Sequence, residues 1–228
     1  MSEYFSVGTT LFTVWGYPMS PIEFIGTVFN ILCVWLIARN NIWNWPVGLV
    51  GTLLFGMLFW QVALYSDFFE QIYFFVTGIW GWWLWLRPRD EEDKAKGGRR
   101  IVTISARARL IYVFAIALGT VALGALTFRL PELFPVLFPE PTSFPYLDAF
   151  TTVMSFAATI LIMRKELECW ALWIIVDIIG IGLYWAKDVK LVAILYVIFL
   201  VLATRGLINW YRLWKTNAPL PAISVTAQ

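Results

Sequence analysis

The apolar residues of this sequence fall into long stretches that are interrupted by short polar segments. A helix that crosses a membrane needs roughly 20 apolar residues, and seven stretches approach that length. They are Ile22–Ala38, Ile42–Trp60, Phe68–Leu86, Leu110–Phe128, Tyr146–Met163, Trp170–Ala186 and Leu191–Trp214. This pattern predicts an all-α integral membrane protein with seven transmembrane helices.

The first and last thirds of the chain resemble each other. Residues 23–87 align without gaps to residues 148–212, and the identical positions include residue types that are rare. Trp45, Trp60 and Trp85 recur as Trp170, Trp185 and Trp210, Arg39 and Arg87 recur as Arg164 and Arg212, and Glu23 meets Asp148. A self-match of this kind predicts an internal duplication, with one three-helix bundle in residues 22–87 and a second in residues 148–214.

An odd number of helices in each bundle constrains how the bundles are joined. Two such bundles linked directly would have opposite orientations in the membrane, whereas one additional span gives both the same orientation. Leu110–Phe128, in the connecting segment 88–147, is that span. The prediction is a 3+1+3 arrangement with parallel repeats, which is a known plan of secondary transporters. A ligand site is then expected between the bundles, near the midplane.

The distribution of charge predicts which side each loop faces. The segment after the third span holds the strongest basic cluster, which consists of Arg87, Arg89, Lys94, Lys96, Arg99, Arg100, Arg107 and Arg109. Basic loops remain cytoplasmic, so the N-terminus is predicted outside and the C-terminus in the cytoplasm. Segment 1–21 is predicted to lie at the membrane interface, and segment 215–228 is predicted to be a loose tail.

Composition excludes several classes of function. Hydrophobic residues make up 60% of the chain and charged residues 14%, whereas soluble domains carry about a quarter charged residues. There is no histidine, which removes His-based catalysis and most zinc and haem sites. The phosphate-binding loop of ATPases is absent from the sequence. Cys33 and Cys169 are interpreted as small packing residues. Neither a cofactor, a metal nor a nucleic-acid partner is indicated.

The sixth span offers the first candidate chemistry. Trp173, Asp177, Gly180 and Tyr184 fall on one helical face. A carboxylate in hydrocarbon is costly and is normally turned inward and paired. An aromatic ring beside an acid favours a planar cation. A structural hydrogen bond to a neighbouring helix is the alternative interpretation of Asp177.

The duplication places a second, different face opposite the first. Asn44, Gly48, Thr52 and Phe59 correspond to Cys169, Trp173, Asp177 and Tyr184. An amide, a gap and a hydroxyl in one half, with rings and an acid in the other, suit a ligand with one aromatic and one hydroxylated end. The alternative is that Gly48, Gly51 and Gly56 only permit close helix packing.

Two further polar residues are candidates for a path through the membrane. Gln71 lies near the start of the third span, and Asn30 lies in the middle of the first, with Ser155 at the corresponding position of the second half. Polar residues at such depths also serve as interhelical hydrogen bonds. We favour the path for Gln71 and Asn30, and a helix contact for Ser155.

Four segments resemble the PnuC family of bacterial vitamin transporters. They are NIWNWPVGLVG (41–51), TGIWGWWLW (77–85), WALWIIVDIIGIGLYW (170–185) and AILYVIFLVLATRGLINW (193–210). Within them, Asn44 and Trp45 resemble the family's second-span motif, and Trp170, Trp173 and Asp177 resemble its sixth-span motif. The likeness covers roughly residues 22–214.

This resemblance implies uptake of nicotinamide riboside by facilitated diffusion across a bacterial inner membrane. It also implies a duplicated fold like that of the SWEET carriers, a homotrimer, and a cytoplasmic riboside kinase that traps the substrate. The expected binding residues are Asn44, Trp45, Thr52, Gln71, Trp173, Asp177, Tyr184 and Asn30. Sister branches of the family carry thiamine or riboflavin, so another vitamin remains an open alternative.

Other classes of membrane protein fit the residues less well. A seven-helix photoreceptor needs a lysine in the middle of its last span, where this chain has Arg205. A membrane-embedded enzyme needs a catalytic cluster that is absent from the sequence. A membrane protein with a purely structural role would leave the duplicated polar faces unexplained.

Overall fold

The computed structural model describes residues 6–95, 97–136, 138, 144–186 and 190–216. Within these ranges the chain forms one hairpin and eight helices. They are β1 Phe12–Val14, β2 Tyr17–Met19, α1 Pro21–Ala38, α2 Asn44–Gln61, α3 Tyr65–Trp85, α4 Glu91–Ala95, α5 Ala106–Leu133, α6 Pro145–Met163, α7 Cys169–Ala186 and α8 Lys190–Thr216. Nearly all of the predicted tail 215–228, and the first five residues of segment 1–21, lie outside the described residues.

Five of the described helices are long and apolar enough to cross a membrane, namely α1, α5, α6, α7 and α8. α2 and α3 cover the second and third predicted spans but are less apolar. α2 begins at Asn44 and ends at Gln61, and α3 carries Asp67 and Glu70. Most of the described residues are therefore helical, and five of the helices are candidate membrane spans.

The N-terminal segment departs from the all-helical expectation. Strands β1 and β2 pair antiparallel, and Trp15 and Gly16 between them have φ angles of 49° and 86°. Two consecutive positive φ angles define a type I′ turn, whose twist matches that of a two-stranded hairpin. The hairpin leads directly into α1, where the Ser20 side chain accepts a hydrogen bond from the Glu23 amide and caps the helix.

The helix boundaries repeat at the spacing found in the sequence. α2 and α7 span residues 44–61 and 169–186, and α3 and α8 begin at residues 65 and 190, so each pair is offset by 125 residues. Two residues after the last residue of α1 and of α6 the backbone is left-handed, at Asn40 with φ 53° and at Lys165 with φ 55°. The backbone amides of these residues donate to the carbonyls of Ile37 and Ile162, which are also equivalent. The two halves therefore match in local detail as well as in sequence.

Six helices close into a ring. α1 packs against α2, α2 against α3, α3 against α6, α6 against α7, α7 against α8, and α8 back against α1. α5 packs against the outside of α6. Two seams, α3–α6 and α1–α8, join the halves. We call the end that carries the connecting segment 86–105 the loop end, and the end near β1–β2 the hairpin end.

Two reciprocal hydrogen bonds hold the seams at the loop end. The indole nitrogen of Trp85, on α3, donates to the carbonyl of Ile162, at 3.1 Å. In the same way Trp210, on α8, donates to the carbonyl of Ile37, at 2.9 Å. Donors and acceptors are equivalent residues of the two repeats, so each half contributes one donor and one acceptor.

These two indoles belong to a cluster of four that fills the ring at the loop end. Trp45 meets Trp85 edge to face at 5.4 Å, Trp170 meets Trp210 likewise at 5.5 Å, and the Trp85 and Trp210 centroids lie 6.1 Å apart. All four side chains are buried. A Cβ at Gly81 would overlap the Trp45 ring, and one at Gly206 would overlap the Trp170 ring. The equivalent glycines therefore make room for equivalent rings.

The connecting segment folds onto one seam. A parallel bridge joins Val102 to Glu166, and the Ile101 side chain is buried in the core. Arg89 donates to the carbonyl of Arg164, and Arg99 donates to that of Leu84. The connecting segment 86–105, which was predicted as a basic loop, thus packs across the α3–α6 seam. We call this segment the strap.

Removing either reciprocal hydrogen bond should destabilise the protein. We expect Trp85→Phe and Trp210→Phe to cost about 1 kcal/mol each, because each deletes one buried hydrogen bond and retains most of the ring. The measurement is the thermal unfolding midpoint of the purified protein in detergent. Trp80→Phe is the control, since that side chain is 57% exposed. A Trp85 or Trp210 variant as stable as the control would contradict the role given to these bonds.

Lys165 should lower stability near neutral pH. Burial lowers its pKa well below the ordinary 10.5, and Arg99 and Arg89 lower it further against the opposing effect of Asp93. Between the two pKa values the unfolded chain holds a proton that the folded chain does not, so the folded state is disfavoured there. Above pH 10.5 both states are neutral and this penalty disappears.

We therefore expect Lys165→Met to be more stable than the unmodified protein at about pH 7, with a difference that shrinks as the pH approaches the ordinary lysine pKa. Unfolding midpoints across that pH range test this. Lys215→Met is the matched control, because both amines lie over an aromatic ring but Lys215 is exposed. A pH-independent difference would show that packing, not protonation, governs this position.

Candidate functional site

The most unusual polar group in the ring is the carboxylate of Asp177, at the middle of α7. Its side chain is only 3% exposed, and the structure gives it no hydrogen-bond or ion-pair partner among the described residues. A buried carboxylate without a partner is costly, and such groups in membranes mark ligand or ion pathways. The structural hydrogen bond considered from the sequence is not formed with any described side chain.

Trp173 lies one turn before Asp177 on the same helix. Its ring packs against both core clusters of the protein. Its indole nitrogen is buried and has no partner within the described part of the chain. Trp173 and Asp177 therefore offer an aromatic surface, a free N–H donor and a carboxyl group in adjacent turns.

The equivalent face of α2 is built from smaller groups. Thr52 is buried and its hydroxyl donates to the Gly48 carbonyl at 2.8 Å. Asn44 is fully buried, and its amide nitrogen donates to the Asn41 carbonyl at 2.7 Å. The Asn44 oxygen lacks a partner in the described ranges, as do the indole nitrogens of Trp45 and Trp170. Buried polar atoms are normally paired, so these three atoms are exceptions within the described part of the chain.

The glycines on these faces accommodate neighbouring side chains. A Cβ at Gly48 would collide with the Cys33 sulfur, one at Gly51 would press on Asn30, and one at Gly180 would overlap the Tyr196 ring. Close packing, which was one of the two interpretations of Gly48 and Gly51, is therefore what the structure supports. The space beside Gly180 is filled by this aromatic ring.

Tyr196 is a residue that the sequence analysis missed. It comes from α8, and its ring stacks on that of Tyr184 at a centroid distance of 5.3 Å and an angle of 20°. Tyr184 lies within electrostatic range of the carboxyl groups of Asp67, Glu70 and Asp148. These acids lie at the hairpin end of the ring. In the sequence, the only sign of this contact was that Tyr196 is an aromatic residue in the early part of α8, the helix that packs on α7.

The remaining candidates lie apart from Asp177. Asn30 donates to the Gly26 carbonyl of its own helix at 2.9 Å and packs on Gly51. Gln71 and Thr52 line a cavity of about 420 Å³ between α2 and α3. That cavity is otherwise lined almost entirely by apolar groups. Ser155, expected to be a helix contact, donates to the Thr151 carbonyl of its own helix.

The geometry defines what the site can do. The ring is filled by tryptophans at its loop end, carries acids at its hairpin end, and encloses an unpaired carboxylate beside an indole. No three or more Cys, Asp or Glu side chains within the described ranges are placed to hold a metal ion. A ring of six packed helices, four of them long and apolar enough to cross a membrane, is the architecture of a polytopic membrane protein.

Comparison with known proteins identifies the family. The family described as Nicotinamide mononucleotide transporter matches residues 20–212. The nicotinamide riboside transporter PnuC of Escherichia coli (strain K12) is 30% identical over 95% of each chain. The riboflavin/roseoflavin transporter RibM of Streptomyces davaonensis is 28% identical, over 83% of this chain and 84% of the relative. This chain belongs to the nicotinamide mononucleotide transporter family.

A solved structure agrees with this assignment. The crystal structure of the vitamin B3 transporter PnuC superimposes with a TM-score of 0.65 at 25% identity, covering 86% of this chain and 83% of that chain. The resemblance drawn from the four sequence segments is thereby confirmed. The relatives are named as transporters.

Proposed function

We propose that this chain takes up nicotinamide riboside by facilitated diffusion, with alternating access between two three-helix bundles, and that it has no enzymatic activity. The observation that carries the proposal is the unpaired Asp177 carboxylate one turn from Trp173. Nicotinamide riboside has a flat, positively charged ring, and both features of the site stabilise such a ring. The names of two of the relatives support the same substrate, whereas the family is named after its phosphorylated form, the mononucleotide.

The proposed architecture is seven membrane spans in a 3+1+3 arrangement with parallel repeats. Its bundles are residues 22–87 and 148–214, joined by the segment 88–147 that contains α5. The closed ring supports counting α2 and α3 as spans, because they are equivalent to α7 and α8 and complete the circle. The reciprocal bonds of Trp85 and Trp210 support parallel repeats, since such exchange follows from a two-fold relation.

Within the site, we assign the aromatic cation to the second bundle. Trp173 stacks on the ring of the substrate and Asp177 balances its charge. The ribose hydroxyls, which both donate and accept, suit the free oxygen of Asn44 and the free indole N–H of Trp45. Thr52, Gln71, Tyr184 and Asn30 are assigned to the route rather than to the bound ring.

Alternating access requires the ring to open at one end at a time. The four tryptophans keep the loop end filled in this conformation, while the acids at the hairpin end attract the cation. We propose that the bundles rock about the two seams, which breaks the contacts of the tryptophan cluster and opens the loop end. No ATP is needed for this movement, because the concentration gradient of the substrate supplies the driving force.

In the cell, the chain is proposed to lie in a bacterial inner membrane with its N-terminus outside and its loop end in the cytoplasm. The basic residues of segment 87–109 support that orientation. A cytoplasmic kinase that phosphorylates the riboside would prevent its return and so drive net uptake. A homotrimer is the proposed assembly.

A different vitamin is the alternative substrate. The relative RibM is named as a riboflavin/roseoflavin transporter, so the family accommodates an uncharged ring system. Thiamine, which is also an aromatic cation, would satisfy Asp177 as well as nicotinamide riboside does. Asp177 favours the two cations over riboflavin.

Binding to the purified protein separates these substrates. We expect calorimetry to detect nicotinamide riboside, with weaker or no binding of nicotinamide mononucleotide, thiamine and riboflavin. Asp177→Asn should weaken riboside binding by about tenfold or more, because a neutral amide no longer balances the ring charge. Glu132→Gln, which removes an exposed carboxylate from α5, should leave the affinity unchanged. Tight binding of riboflavin or thiamine instead would retain the fold and replace the substrate.

Transport in proteoliposomes tests the mechanism. We expect the riboside to equilibrate at the same rate with or without a proton or sodium gradient, because facilitated diffusion couples to neither. Vesicles that enclose a riboside kinase and ATP should accumulate the phosphorylated product beyond the external concentration of riboside. Accumulation of unmodified riboside that follows an imposed ion gradient would overturn facilitated diffusion and establish ion-coupled transport.

A further inference from the structure

A second cavity lies outside the ring, at the loop end of the α1–α8 seam. Its volume is about 450 Å³. We call it the α1–α8 groove and define it by Trp35, Arg39, Leu202, Arg205, Asn209 and Leu213. These residues come from the last turn of α1, its C-cap and the C-terminal half of α8. None of them belongs to the candidate substrate site.

The groove carries positive charge without compensation. Arg39 and Arg205 come from different elements and meet at one cavity. Neither forms an ion pair with a described carboxylate, and no Asp or Glu lines the groove. The Arg39 guanidinium lies 4.2 Å over the Trp35 ring, which holds it at the mouth of the groove. Two planar guanidinium groups are suited to bind a phosphate in bidentate fashion.

The rest of the groove is apolar. Leu202, Leu213 and Trp35 form its walls, so a ligand that fills it combines an anionic group with hydrocarbon. The depth agrees with this. Asn209 bonds the Ala38 carbonyl at the end of α1, and Arg205 lies one turn, about 6 Å, further along the helix axis toward the membrane centre. Charges are found at that depth where they meet a lipid headgroup or reach the interface.

The equivalent place on the other seam is already covered by this chain. Arg164 and Leu84 are the repeat equivalents of Arg39 and Asn209, and their carbonyls accept hydrogen bonds from Arg89 and Arg99 of the connecting strap. At the α1–α8 seam, no described segment packs across the helices in the way that the strap packs across α3–α6. Segment 217–228, which follows α8, contains no Asp or Glu that would neutralise the two arginines.

We propose that the α1–α8 groove binds the phosphate headgroup of an anionic membrane lipid, with Arg39 and Arg205 contacting the phosphate and with acyl chains along Leu202 and Leu213. A lipid there covers the seam that the strap leaves open. The site is independent of the substrate and of the transport mechanism.

Native mass spectrometry of the purified protein, after incubation with defined lipids, tests the site. We expect phosphatidylglycerol or cardiolipin to be retained in preference to phosphatidylcholine. Arg39→Gln with Arg205→Gln should reduce that preference by about tenfold or more, since each basic residue at a membrane surface adds to the attraction. The control removes two exposed arginines from the same end, by Arg107→Gln with Arg212→Gln, and should retain the preference.

Each other result overturns the proposal. Equal retention of anionic and neutral lipids would show that there is no site for an anionic headgroup. A preference for anionic lipids that persists in the Arg39 and Arg205 variant would show that the lipid binds outside the α1–α8 groove. Displacement of the lipid by millimolar inorganic phosphate alone would identify a free-anion site instead. The paired Arg39→Lys and Arg205→Lys variant retains both charges but not the bidentate geometry, and should retain part of the preference. It therefore guards against a glutamine variant that fails to fold.

Discussion

The structure depends on an exchange of hydrogen bonds between two related halves. Trp85 and Trp210 each reach across a seam to a helix-terminal carbonyl of the other half, and they can do so because Asn40 and Lys165 turn the backbone sharply where α1 and α6 end. A lone three-helix unit would leave its indole and its carbonyl without these partners. The reciprocal bonds thus tie the formation of one half to the presence of the other, and the tryptophan cluster that they organise fills the interior at one end.

A duplicated framework does not require duplicated chemistry. Trp45 and Trp170 are the same residue type in both halves, and each ring packs into the space left by an equivalent glycine, Gly81 or Gly206. One and two turns further along, the halves diverge: Gly48 stands opposite Trp173 and Thr52 opposite Asp177. Residues that hold the frame are repeated, whereas these two positions differ, so the equivalent faces of α2 and α7 carry different chemistry.

The sequence predicted the features that depend on local pattern. Apolar stretches located every long helix, and tryptophans at a constant spacing revealed the repeat whose helix boundaries agree to the residue in α2 and α7. Features that depend on contacts between distant segments were not predictable. The segment across α3–α6 was predicted only as a basic loop. The role of Tyr196 was not predicted because the residue that it packs on, Gly180, lies on another helix. The hairpin escaped notice because its turn relies on Trp15, an unusual residue at positive φ.

The strap makes the two seams mechanically unequal. At α3–α6 a separation of the halves would have to break the bridge at Val102, the bonds of Arg89 and Arg99, and the packing of Ile101, in addition to the indole bond. At α1–α8 it would break the bonds of Trp210 and Asn209. A separation of the halves would therefore meet more resistance at α3–α6 than at α1–α8, which makes α3–α6 the stiffer of the two seams.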